Sequence, residues 1–64
     1  MVELFRTTFD NGYTIILRYD EYNPDFTYEL QTIVGGHTVY DRFYSALAVL
    51  KIISKIQQHS IKAY

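Results

Sequence analysis

The 64-residue sequence predicts an α+β fold: a three-stranded antiparallel β-meander followed by one long C-terminal α-helix packed on one sheet face. Three observations carry this expectation. The first half holds three runs rich in β-branched and aromatic residues, separated by turn signals. From Val39 onward, apolar residues recur at spacings of three and four. The glycine pair Gly35-Gly36 stands between the two regimes.

The run VELFRTTF reads as the first strand and YTIILRYD as the second. Asn11-Gly12 between them is a hairpin signal, since a two-residue type I′ turn needs positive φ at both positions. That turn sets Asp10 opposite Tyr13, Thr8 opposite Ile15, Arg6 opposite Leu17 and Leu4 opposite Tyr19. Tyr13, Ile15, Leu17 and Tyr19 then share one face, with Phe5, Phe9 and Ile16 on the other. Pro24 marks a loop, because it locks its own φ and keeps Asn23 out of helical geometry. FTYELQTIV is the third strand, with Phe26, Tyr28, Leu30, Thr32 and Val34 on one face.

The helix is expected from Val39 to about His59. Val39, Phe43, Ala46, Leu47, Leu50 and Ile53 form its core stripe, and Asp41, Lys51, Lys55, Gln58 and Lys62 lie opposite. Thr38 is placed to cap, with Asp41 in the first turn at the positive end of the helix dipole. A second seam runs through Ser45, Val49, Ile52 and Ile56, with the spacing of a helix-helix contact. Either the sheet curls over it or it joins two copies into a homodimer.

The chain is one domain, residues 1–64, and small enough that a staple or a partner is expected. With no cysteine, neither a disulfide nor a thiolate metal site is open to it. His37 and His59 stand far apart, so no metal and no cofactor are expected. MVELFRTTFD carries acids and no apolar run, unlike a signal peptide. No stretch approaches the roughly 18 apolar residues of a membrane span, so a cytoplasmic protein off the membrane is expected. Charge is divided: seven acids against Arg6 and Arg18 give residues 1–41 a net −5, and Arg42, Lys51, Lys55 and Lys62 give residues 42–64 a net +4.

The residues argue against catalysis. The lead-in GGHT lacks the lysine of a P-loop and the spacing of G-x-G-x-x-G. An acid at Asp41 would repel a phosphate at a helix start. His37 beside Thr38 is no triad, because nucleophile and base must face each other across a pocket. One small sheet and one helix leave little room for a cleft between two working carboxylates. No catalytic residue is assigned, and a non-enzymatic protein is expected.

The stretch RYDEYNPDFTYE holds three tyrosines, one phenylalanine and four acids. Tyrosine supplies contact area at low entropy cost, and acids among aromatics suit a basic partner. Tyr19, Asp20, Glu21, Tyr22, Asp25, Tyr28 and Glu29 are therefore the expected partner-binding set, docking on a basic patch of a larger protein. A regulator or inhibitor of phage or mobile-element type, mimicking nucleic acid, fits that description. The alternative is a small nucleic-acid-binding domain. With the lead-in Gly36-His37-Thr38, the β-β-β-α outline resembles the arm-binding domains of some phage integrases and the end of the double-stranded-RNA-binding domain. That resemblance implies basic residues on phosphate, here the helix lysines with Arg6, Arg18 and Arg42.

Overall fold

The computed structural model describes residues 1–61, with side chains to residue 58. His59, as a side chain, and Lys62 lie outside the described residues. The fold is α+β, an antiparallel sheet with one C-terminal helix on it, but the sheet has four strands rather than three. They are β1 (Val2–Thr8), β2 (Thr14–Tyr19), β3 (Tyr28–Val34) and β4 (His37–Phe43), followed by α1 (Ala46–Ile61). Strand order is β1-β2-β3-β4, a simple meander.

The added strand corrects the start of the helix. Gly35 and Gly36 have φ of 56° and 79°. Both values are left-handed, as a two-residue type I′ hairpin requires. The pair therefore sends the chain straight back along β3, with Val34 opposite His37 and Tyr28 opposite Phe43. HTVYDRF is a good strand by composition, and Val39 and Phe43 fit both patterns. Residues four apart share a face in a strand as they do in a helix. Thr38 and Asp41 are thus strand residues, and the order is β-β-β-β-α, not the β-β-β-α outline on which the resemblance to the integrase and RNA-binding domains rested. Ser45 caps α1 instead: its Oγ accepts from Ala48 N at 3.3 Å and its carbonyl accepts from Val49 N at 3.4 Å.

The first hairpin also differs. Among the described residues no non-glycine has positive φ, so Asn11 cannot sit in a type I′ turn. Phe9 N donates to Tyr13 O at 2.8 Å and Gly12 N to Phe9 O at 3.0 Å. With Gly12 at φ 89°, this is a three-residue loop with glycine in the left-handed position. Asn11 serves elsewhere. Its Oδ1 accepts from Tyr13 N at 3.0 Å, and its Nδ2 donates to Ile56 O at 3.2 Å, tying the helix to the hairpin.

The longer loop shifts β1 by one residue, so Thr8 meets Thr14, Arg6 meets Ile16 and Phe5 meets Leu17. A one-residue slip exchanges the faces of a strand. Phe5 joins the side of Ile15 and Leu17, while Arg6 and Thr8 go to the other side. A bulge between Glu3 and Phe5 interrupts the register farther along β1.

The core lies between sheet and helix. Ile15, Leu17, Leu30 and Val49 are its buried residues, with Phe9, Tyr28, Phe43, Ile52, Ile53 and Ile56 packed around them. The helix therefore turns Val49, Ile52 and Ile56 inward, against the chain's own sheet, and Ser45 begins it as the cap. Leu47 and Leu50, expected in the core stripe, are 64% and 60% exposed, and Val39 is 54% exposed. Two apolar stripes were available on this helix. The chain reaches it from the end of an edge strand, and that approach turns the Val49 stripe toward the sheet.

Candidate interaction surface

The β2–β3 connection is short and held by its own polar side chains. Asp20 N donates to Thr27 O at 2.8 Å, and Thr27 N to Phe43 O at 3.0 Å, closing the loop against β4. Inside it, Asp20 Oδ1 accepts from Tyr22 N at 3.1 Å and Asn23 Oδ1 accepts from Asp25 N at 2.8 Å. These are Asx turns, in which a short polar side chain stands in for the next backbone acceptor. They present Glu21, Tyr22 and Asp25 to solvent, with Asp20 half-buried at the base. Tyr22 is 88% exposed, the most open of the large apolar side chains among the described residues. A cleft of about 140 Å³ beside it is lined by Met1, Val2, Tyr19, Asp20, Glu21 and Tyr22. Residues 20–27 carry three acids and no base.

The other members of the expected set have structural employment. The Tyr19 and Tyr28 rings meet at 5.4 Å with a 56° tilt, and Tyr28 packs on the core. Glu29 is buried on the face of the sheet away from the helix. There the register lines up Glu3, Arg18, Glu29 and Arg42, one from each strand, as alternating charges. Glu29 Oε1 lies 3.4 Å from Arg18 Nη1, and Oε2 lies 3.8 Å from Arg42 Nε. The Arg42 guanidinium stands 5.1 Å from the centre of the buried Phe26 ring, a cation-π contact. Beside this row, Arg6 Nε donates to Glu3 Oε2 at 2.9 Å, and Arg6 Nη2 also bonds Glu3 Oε1. The hydrogen bond from Arg6 lowers the Glu3 carboxyl below its ordinary pKa, and the same bond raises that of Arg6. No short motif announces this row: its members are up to 39 positions apart, and strand register alone brings them together.

The row also separates the residues of the nucleic-acid alternative. Arg6, Arg18 and Arg42 face away from the helix, and each stands against a carboxylate. Lys51 and Lys55 are exposed on the helix, on the opposite side of the sheet. The two basic sets do not form one surface.

His37 opens β4 opposite Val34, and no helix begins at the glycine pair. Among the described residues no group of three His, Cys, Asp or Glu side chains is placed to hold a metal ion. No helix among them is long and apolar enough to cross a membrane. The chain matches no family model, no curated protein and no solved structure.

Proposed function

We propose that this chain is a small non-enzymatic binding module whose β2–β3 loop docks on a basic patch of a larger protein. One observation carries the reading: Tyr22 stands 88% exposed on a loop whose backbone is fastened by two Asx turns. An aromatic ring left in water has no folding role there. A loop already held in shape loses little entropy on docking. Glu21, Asp25 and Asp20 around it supply the charge that steers a basic partner. The docking set is smaller than the sequence indicates: Tyr19 is its floor, and Tyr28 and Glu29 support the sheet beneath. A regulator or inhibitor that takes the place of nucleic acid on a basic surface is the class of protein this describes.

The test is capture of a partner from the host lysate, then binding of loop variants to it. Asp20→Asn, Glu21→Gln and Asp25→Asn together remove the charge, while Asn at position 20 keeps an acceptor for Tyr22 N. This triple variant and Tyr22→Ala should each weaken binding at least about tenfold while leaving the fold intact. A partner held as tightly by both variants as by the natural chain sinks the proposal. So does a partner that proves to be DNA or RNA, with affinity falling steeply as salt rises.

A further inference from the structure

The sheet has two edges, and they are built differently. β1 is broken by the bulge between Glu3 and Phe5 and carries the Glu3–Arg6 ion pair, both common guards against strand addition. β4 has no bulge, and the charge of its Arg42 is engaged with Glu29 of the neighbouring strand β3. Its seven residues pair with β3 without a register shift, and it holds neither proline nor lysine. Val39 and Tyr40 are 54% and 52% exposed on its two sides.

The ladders fix the direction of its free backbone groups. Asp20 N bonds Thr27 O, so β3 uses its odd-numbered residues toward β2 and its even-numbered ones toward β4. The type I′ turn makes Val34 and His37 a bonded pair, which agrees. Hence Thr38, Tyr40 and Arg42 aim their N–H and C=O groups outward.

We propose that β4 is the pairing edge for a second copy of this chain, joined antiparallel with Val39 opposite Val39 on the two-fold axis. Registers that continue the sheet with both helices on one side set odd residues against odd. Centring on Asp41 would place two like charges together at the close, non-bonded position. Centring on Tyr40 would set Val39 against Asp41. Centring on Val39 matches Val39 with Val39, Thr38 with Tyr40, and His37 with Asp41, so the imidazole meets a carboxylate. Four outward backbone hydrogen bonds form between Thr38 and Tyr40 of the two copies. Because α1 lies over the β3–β4 side, both helices bring their exposed Leu47 and Leu50 to the same side of the joint sheet. The bulged β1 edges stay at the outside, so the pair closes on itself rather than growing into a filament.

Val39→Cys tests the register, since the natural chain has no cysteine. Non-bonded antiparallel pairs hold Cα atoms about 4.5 Å apart, within reach of a disulfide. Mild oxidation should link Val39→Cys chains rapidly, while Thr7→Cys on β1 should remain single. Sedimentation should show the natural chain as a dimer. Tyr40→Pro removes an outward N–H and leaves the β3–β4 ladder intact, so it should be a folded monomer. If Tyr40→Pro fails to fold, Val39→Lys still decides. It places two cations on the axis and should raise the dissociation constant about tenfold. A natural chain that is monomeric at millimolar concentration overturns the proposal. So does cross-linking of Val39→Cys no faster than Thr7→Cys, or a dimer indifferent to Val39→Lys.

Discussion

The two faces of the sheet are held by different forces. Toward the helix, Ile15 and Leu30 are fully buried against Val49, and the binding force there is removal of apolar surface from water. Away from the helix, Ile16 and Glu29 are almost as well covered, with no helix over them. The cover comes from neighbouring long side chains: Arg18 and Arg42 reach across Glu29, and Phe26 lies against Arg42. A sheet face without a second layer is thus closed by amphipathic stems and paired charges. Closure of that kind contributes less per residue, because the charges remain partly hydrated.

The sharpest way to break this contrast is to cut each face at its centre. Leu30→Ala should cost about 3 kcal/mol in urea unfolding, since it opens a cavity between sheet and helix. Glu29→Gln leaves Arg18 and Arg42 without their shared carboxylate. It should cost about 1–2 kcal/mol, less than a fully buried pair because both arginines reach water. If Glu29→Gln proves the costlier, the charged row is the main fastening and the ranking of the faces is reversed.

Smaller effects sharpen it at the borders. Gly36→Ala should cost about 1 kcal/mol by thermal melting, because φ of 79° crowds a Cβ whatever the space around it. Ser45→Ala removes the helix cap and should cost about 1 kcal/mol, read as a lower melting temperature. Glu3→Gln breaks an exposed ion pair that solvent screens, and should leave the melting temperature almost unchanged. A larger loss there would mean that the Glu3–Arg6 pair holds the bulge in place.

The two hairpins show how far the sequence could be read. Asn11-Gly12 is a turn, as expected, yet the loop has three residues and not two. Asn11 bonds the carbonyl of Ile56 within α1, a contact 45 residues away. Gly35-Gly36 is a turn with two positive φ values, where a strand-to-helix corner is the expectation from sequence. Glycines announce a reversal but do not specify the next element. Val39 and Phe43 mislead, because a four-residue spacing suits both periods. In the β2–β3 loop, Asp20, Glu21, Tyr22 and Asp25 are legible as a polar, aromatic stretch. That Tyr28 packs on the core and Glu29 is buried between two arginines is not, since it depends on strand partners far along the chain.

Some features were determined by the sequence alone, through forces that act within a few residues. The positions of the two glycine turns come from backbone sterics, the helical character of the run through residues 46–58 from its apolar period, and the folded loop around Tyr22 from Asx turns. Only tertiary structure decided which helix stripe faces inward, which residues of β1 meet β2, and that Glu3, Arg18, Glu29 and Arg42 stand in one row. Each of those depends on register or approach angle. A one-residue change in either exchanges one face for the other at almost no local cost, so the choice falls to the packing of the whole molecule.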